Sequence, residues 1–206
     1  MNMFAVKKMK PLLGNRDDHG PGVILTHSGR YIDLANPKPE DFSPEDIAWS
    51  LGSMVRYNGH IPHPYTVARH SVIMSHYVPD GYAMEALLHD AGEAYCGDII
   101  YPLKKLYPEL EDFEDRITGV IHSKYNEGKN VVCGQYHKSD VIAHADILIY
   151  EHECNRFGRP NGQYVRGLHE AERKAIETNG LGTLSLTGFA GDREAFLNRF
   201  YELYEG

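Results

Sequence analysis

The sequence predicts an all-α fold, a bundle of helices preceded by a short N-terminal β-hairpin. In most segments after residue 43, apolar residues recur three and four positions apart, which is the spacing of one buried helix face. Strand-like apolar runs are predicted only at residues 23–34, around a turn at residues 27–30. No purely apolar run exceeds four residues, so we expect neither a membrane-spanning helix nor a membrane partner.

The helices are predicted from their start signals and their apolar faces, in chain order. Ser43-Pro44 followed by two acidic residues is a typical N-cap and first turn, and it begins the first helix. The buried stripe of that helix is predicted to extend through Met54 and Val55. The third helix begins near Asp80, after Pro79, and loses its regularity near residue 97. The other predicted helices cover residues 65–77, 109–125, 139–156, 168–178 and 192–204.

The length of 206 residues predicts a single domain, because domains contain about 150 residues on average. We expect a poorly ordered lead-in at residues 1–22, with no signal peptide, and one domain at residues 23–206. A glycine-rich stretch at residues 179–191 is predicted to be a loop between the two C-terminal helices, which together span residues 168–204.

The charge balance bears on the partners of the protein. With 21 basic and 29 acidic residues the formal net charge is −8, so we expect no nucleic-acid polymer as partner. The three cysteines are odd in number and far apart, which argues against a disulfide framework and suits a reducing compartment, so we expect a cytoplasmic location. A phosphate-containing ligand would need a local source of positive charge on this acidic chain.

Two histidines and two aspartates on three predicted helices suggest a metal site. They are His70 on the second helix, His89 and Asp90 on the third, and Asp146 on the fifth. Apolar residues flank Asp146, and a buried carboxylate is costly unless a cation or hydrogen bonds compensate it. Two imidazoles and two carboxylates suit zinc or another divalent transition metal. Each residue taken alone also fits a helix cap, a hydrogen-bonded core side chain or a solvated pair.

The ordered set H…HD…D resembles the signature of the HD-domain metal-dependent phosphohydrolases. Within that superfamily the chain is similar to the bacterial 5′-deoxynucleotidases and the phage dATP phosphohydrolases. The resemblance covers about residues 43–155 and implies a single HD-type domain. It rests on further segments that recur in the same order, namely Arg56-Tyr57, residues 65–71, residues 88–93, Gly97-Asp98 and residues 102–104.

The resemblance implies a role for each matching residue. His70, His89, Asp90 and Asp146 would be the ligands of a divalent ion such as zinc, cobalt, manganese or magnesium. The resemblance also implies catalytic roles for two acidic residues, with Glu93 beside the attacking water and Asp98 near the sugar and the water. It implies that Arg56 and Lys104 bind near the phosphates and that Tyr57 lies beside the nucleoside.

Three further residues, His60, Arg69 and Ile100, bear on how a substrate would be bound. His60 lies in a proline- and glycine-rich loop that is expected at the mouth of the site, where it would either contact substrate or belong to the surface. Arg69 and Ile100 depart from the family pattern, since many relatives carry Glu or Gln before the second-helix histidine and a proline after Gly-Asp. Neither departure removes a predicted ligand.

The resemblance predicts a metal-dependent hydrolase that removes phosphate from deoxynucleotides, either a 5′-nucleotidase of monophosphates or a dATP-type phosphohydrolase. It also implies a homo-oligomer. A hydrolase of cyclic dinucleotides or of guanosine tetraphosphate uses the same signature and is the alternative within the enzyme class. Outside that class, the sequence is compatible with a nucleotide sensor without turnover, or with a structural helical protein.

Overall fold

Helices form most of the structure. The computed structural model describes residues 20–160, 162–163, 165, 167–179 and 188–205. Most of the predicted lead-in and residues 180–187 of the predicted loop lie outside these residues. In chain order, the helices are α1 (Pro44–Leu51), α2 (Val67–Tyr77), α3 (Ala83–Leu88), α4 (Glu93–Cys96), α5 (Tyr101–Leu106), α6 (Pro108–Tyr125), α7 (Asp140–Arg156), α8 (Leu168–Asn179) and α9 (Gly188–Glu205). No helix in the described ranges combines the length and the apolar character that crossing a membrane requires.

Two short antiparallel ladders accompany the helices. The strands β1 (Val23–Leu25) and β2 (Tyr31–Asp33) form the N-terminal hairpin that the sequence predicts. A second ladder, β3 (Val131–Val132) with β4 (Gln135–Tyr136), was not predicted, so the expectation of helices alone after the first hairpin was wrong. Its strands have only two residues each, too few for an alternating pattern, and both turn residues have positive φ, at Cys133 and Gly134.

Helix α2 lies at the centre of the fold and is buried throughout residues 67–75. Its N-cap is Thr66, whose hydroxyl oxygen accepts a hydrogen bond from the backbone N–H of Arg69. Helices α3, α7, α8 and α9 all pack against it. A helix that is buried on every side can present polar residues only to other protein groups, so each polar residue of α2 needs a partner inside the bundle.

Arg69, one of the departures from the family pattern, is such a residue. Its side chain is buried and donates to Asp192 Oδ1 of α9, from Nε at 3.0 Å and from Nη2 at 2.8 Å. The Thr66 hydroxyl donates to the other oxygen of the same carboxylate at 2.8 Å. Arg69 therefore ties α9 to the start of α2. The last helix begins at Gly188, four residues earlier than predicted, which places Asp192 inside it.

The predicted third helix is broken in two, and the break contains the His-Asp pair. His89 and Asp90 lie in a turn between α3 and α4, not on a continuous helix. Gly92 allows this turn to pack closely on α6, because a Cβ atom there would overlap the Thr118 hydroxyl. The first helix likewise ends earlier than expected, at Leu51, so Met54 and Val55 lie beyond it. Helix α5 was not predicted.

Candidate metal centre

The four predicted metal ligands converge on one place in the bundle. One donor atom each from His70, His89 and Asp146 lie within 4.8 Å of one another. His70 Nε2 is 3.3 Å from His89 Nε2 and 3.4 Å from Asp146 Oδ1. Asp90 Oδ2 adjoins both rings, 3.0 Å from His89 Nε2 and 3.8 Å from His70 Nε2. We call these four residues the cage.

Three separate parts of the fold supply the cage. His70 comes from the buried α2, His89 and Asp90 from the turn after α3, and Asp146 from α7. Both histidine side chains are fully buried, whereas 27% of the Asp146 side chain is exposed. The cage is therefore accessible to solvent on the side of Asp146.

The outer nitrogens of the two histidines are held by groups that can only accept hydrogen bonds. His70 Nδ1 lies 2.7 Å from Glu153 Oε1, and His89 Nδ1 lies 2.7 Å from the carbonyl oxygen of Ala86. Each Nδ1 must therefore donate, and in a neutral ring the lone pair of Nε2 then faces the cage. Two such lone pairs 3.3 Å apart repel each other unless a cation or a proton lies between them. This donor set suits a zinc-type divalent ion.

Lys138 also contacts the cage, although the sequence did not single it out. Its Nζ is 2.7 Å from Asp146 Oδ2 and 3.5 Å from Asp90 Oδ1. Burial raises the pKa of both carboxyl groups, but Lys138 and the cage histidines outweigh it and hold each pKa well below the usual value. Both aspartates are therefore charged at neutral pH, as ligands of a cation must be.

Glu153 also contacts the cage, and the sequence did not single it out. Its Oε1 accepts from His70 Nδ1, and its Oε2 accepts from Arg56 Nε at 3.2 Å and from the Tyr57 hydroxyl at 2.5 Å. Burial raises the pKa of Glu153, but Arg56 and His70 outweigh it and bring the pKa to about 2. A signal was present, since Glu153 follows Asp146 by seven residues and so shares its helix face.

Arg56 and Tyr57, predicted to bind substrate, lie beside the cage. Arg56 Nη1 is 3.6 Å from Asp90 Oδ2, in addition to its contact with Glu153. The Tyr57 backbone has φ of 60°, in the left-handed region that non-glycine residues rarely adopt. Strained backbone of this kind concentrates at functional sites. The strain fits a segment that must present an arginine and an aromatic ring next to the cage.

Glu93 and Lys104 lie next to the cage, together with Glu114, which the sequence analysis did not single out. Donor atoms of Asp90, Glu93 and Glu114 lie within 4.8 Å of one another, so Asp90 connects this carboxylate group to the cage. Lys104 Nζ is 2.6 Å from Glu114 Oε2 and 3.9 Å from Glu93 Oε1. Burial and the nearby charges of Asp90 and Asp98 raise the pKa of Glu93. Lys104 faces carboxylates in this arrangement.

The two other predicted residues are Asp98, whose carboxyl group interacts electrostatically with Asp90 and His70, and His60. Among the described side-chain hydrogen bonds and ion pairs, none joins Asp98 to the cage; its backbone N–H donates to Met54 Sδ. Burial raises the pKa of its carboxyl group. His60 is exposed, and its carbonyl oxygen accepts a hydrogen bond from Arg159 Nη1 at 3.2 Å. Its ring forms no described contact with the cage.

Comparison with known proteins finds relatives rather than a named family. No family model matches the chain. The uncharacterized protein YfdR of Escherichia coli (strain K12) is 38% identical over 141 residues, which cover 68% of this chain and 75% of that protein. An uncharacterized protein of Rhodobacter capsulatus is 34% identical over an alignment that covers 68% of this chain and 82% of the relative. The similarity therefore extends over most of each relative.

Proposed function

We propose that this chain, which belongs to the protein family of YfdR, is a metal-dependent phosphohydrolase of the HD-domain type that removes phosphate from deoxynucleotides. The observation that carries the proposal is the cage, in which the Nε2 atoms of two histidines and the carboxyl groups of two aspartates converge from three parts of the fold. The order H…HD…D in the sequence supports the same assignment.

His70, His89, Asp90 and Asp146 would hold the divalent ion, and Glu153 would orient the His70 ring from outside. Carboxylate partners of this kind fix the tautomer of a metal-binding histidine and raise its basicity. Held by these residues, a divalent ion supplies Lewis acidity toward a phosphoryl oxygen and acidifies a water molecule. The mixed nitrogen and oxygen donors favour zinc, cobalt or manganese over magnesium, which binds mainly to oxygen.

Cationic side chains around the cage support a phosphate-containing substrate on an acidic protein. Arg56 and Lys138 both contact Asp90, at 3.6 and 3.5 Å, and 36% of the Lys138 side chain is exposed. Phosphoryl transfer depends mainly on positioning and on compensation of negative charge. A phosphate entering beside Asp146 would meet Lys138 first and Arg56 next to Asp90. Tyr57 would then lie near the nucleoside.

Glu93 is the group proposed to carry a proton from the attacking water to the leaving oxygen. Its Oε2 is buried and has no hydrogen-bond partner among the described residues, so it can accept one from water. A carboxyl group with a raised pKa can hold a proton near neutral pH, which a general acid–base group requires. In the hydrolysis the water oxygen bonds to phosphorus while the bond from phosphorus to the leaving oxygen breaks. Glu93 takes the proton of the water and returns it to that leaving oxygen.

A panel of nucleotides tests the proposed function. Phosphate release would be measured from deoxy- and ribonucleoside mono- and triphosphates, a cyclic dinucleotide and guanosine tetraphosphate, with manganese, cobalt, zinc or magnesium. We expect release from deoxynucleotides by the unmodified chain and by Glu109→Gln, an exposed control on α6, but not by Asp146→Asn. Cleavage of only the cyclic dinucleotide or the tetraphosphate, or binding without release, would contradict the proposal.

The oligomeric state, the location and the partners are inferred from the same resemblance and from the composition of the chain. We infer a homo-oligomer in the cytoplasm, where three cysteines without a disulfide framework are stable as thiols. Free deoxynucleotides are the proposed partners, and the net charge of −8 disfavours a nucleic-acid polymer. Elution volume in size-exclusion chromatography with light scattering checks the oligomeric state.

A further inference from the structure

A second cluster of metal-binding side chains lies between α7 and α8, and it shares no residue with the cage. Donor atoms of His152, His169 and Glu172 lie within 4.8 Å of one another. The two imidazole rings meet edge to face, with centroids 4.7 Å apart, and His152 Nε2 is 3.6 Å from Glu172 Oε2. His169 and Glu172 are three residues apart on α8, so both project from the same face of that helix.

His152 is buried without the hydrogen bonds that a buried imidazole requires. Only 5% of the residue is exposed, and neither ring nitrogen has a hydrogen-bond partner among the described residues. The separation of 3.6 Å from Glu172 is beyond hydrogen-bond distance. Buried polar atoms in native proteins are nearly always satisfied, and an exception commonly marks a missing water or ion. The unsatisfied nitrogens of His152 therefore point to a ligand between the two helices.

The two carboxylate oxygens of Glu172 face different partners. Arg156 Nη2 lies 3.3 Å from Oε1, while Oε2 faces the histidine cluster. An arginine bond on the outer oxygen of a carboxylate is a common way to orient a metal ligand. His169 is exposed, so an ion can enter from solvent on its side. Arg156 also adds positive charge nearby, which repels any cation, so an ion here must be held by bonds to its donor atoms rather than by a surplus of negative charge.

We propose that His152, His169 and Glu172 form a second divalent-metal site that binds zinc or a similar transition-metal ion and fastens α8 to α7. Two nitrogen donors and one oxygen donor suit zinc, cobalt, nickel or copper, and disfavour calcium and magnesium. A water molecule would complete a tetrahedral set, as in other sites with three protein ligands. Because α8 packs against α2, an ion here would also hold α8 against the helix that carries His70.

Zinc stoichiometry tests the site without reference to catalysis. The full chain without a histidine tag would be stripped of metal and equilibrated with buffered zinc, and bound zinc would be counted. We expect His169→Asn and Glu172→Gln each to bind one ion fewer per chain than the unmodified protein. His144→Asn, an exposed histidine on α7 outside the cluster, is the matched control and should bind as many ions as the unmodified chain.

A second readout separates this site from the cage. In an Asp146→Asn background, zinc should raise the melting temperature, and adding His169→Asn should abolish that rise. Because His169 is exposed, its replacement is not expected to unfold the chain, and circular dichroism checks this. Unchanged zinc content in His169→Asn and Glu172→Gln, or an equal loss in His144→Asn, would overturn the proposal. The difference between variant and parent tests the second site whether or not the cage binds metal.

Discussion

The carboxyl groups around the candidate site fall into two sets whose pKa values shift in opposite directions, although burial raises the pKa of every one of them. Asp90 and Asp146 form the first set, in which Lys138 and the cage histidines lower the pKa well below the usual value despite burial. Glu93 and Glu114 form the second set, in which burial raises the pKa, to about 7 for Glu114. The two sets are contiguous, because Asp90 lies within 4.8 Å of both glutamates.

The difference follows from the local supply of positive charge. Lys138 Nζ contacts both aspartates, at 2.7 and 3.5 Å, and the cage histidines adjoin them as well, whereas the two glutamates share Lys104, whose Nζ lies 2.6 Å from Glu114 and 3.9 Å from Glu93. One set therefore remains ionised, while the other can carry a proton. When neighbouring environments separate pKa values in this way, ligand and acid–base roles can be assigned to different groups.

Removing one charge from the first set should have the largest effect. Asp146→Asn keeps the size of the side chain but replaces the carboxylate that faces His70. We expect phosphate release to fall by about 10³-fold or more, the equivalent of ~4 kcal/mol, because a divalent ion would no longer be held. Bound metal and initial rate would be measured together. Full activity with a full complement of metal would remove Asp146 from the proposed ligand set.

Replacing Glu93 tests the second set separately. Glu93→Gln cannot carry the proton, so we expect kcat to fall by about 10²- to 10⁴-fold while metal content is retained. Glu109→Gln, exposed on α6, is the matched control and should retain the full rate. If Glu93→Gln lost metal in proportion to its activity, Glu93 would belong with the aspartates as a ligand.

Glu153 should affect metal binding more than chemistry. Its carboxylate accepts from His70 Nδ1 at 2.7 Å, and Glu153→Gln would weaken that support. We expect the affinity for the divalent ion to fall by about 10- to 100-fold, with near-normal activity at saturating metal. A metal titration of activity measures both quantities. An unchanged titration midpoint would mean that His70 is oriented by other contacts.

Replacing Lys138 should give the smallest effect, and it should strengthen metal binding while it weakens substrate binding. Its ion pair with Asp146 competes with a bound cation, so Lys138→Met should tighten metal binding, by up to about five-fold for a partly exposed pair. The same change should raise KM for the nucleotide, because a phosphate loses a nearby cation. Lys105→Met, an exposed neighbour of Lys104, provides the control. A lower KM in Lys138→Met would contradict the proposed contact with phosphate.

Much of the helical architecture could be predicted because its signals are local. Ser43 caps α1 as expected, and α7, capped by Ser139, begins one residue inside the predicted range. The break between α3 and α4 could not be predicted in this way, since the close packing of Gly92 on Thr118 depends on a distant helix. The two-residue strands of the second ladder are too short for any periodic signal.

For the candidate site, residue type and order predicted the four cage residues, but not their supporting contacts. Lys138 pairs with Asp146 eight residues along the chain, and Glu153 pairs with His70 of α2, so neither contact follows from a local sequence pattern. Nor could the sequence predict that Lys104 faces Glu114, because that pairing joins α5 to α6. Such contacts arise only when the helices pack, and they determine which carboxyl groups stay ionised.

An anomalous-scattering crystal structure of the chain loaded with cobalt or zinc tests the central claim most directly. The account predicts a metal peak about 2.0–2.2 Å from the Nε2 atoms of His70 and His89 and from oxygen atoms of Asp90 and Asp146. A loaded crystal with no peak at these atoms, or with Lys138 still bridging the two aspartates without metal, would contradict it.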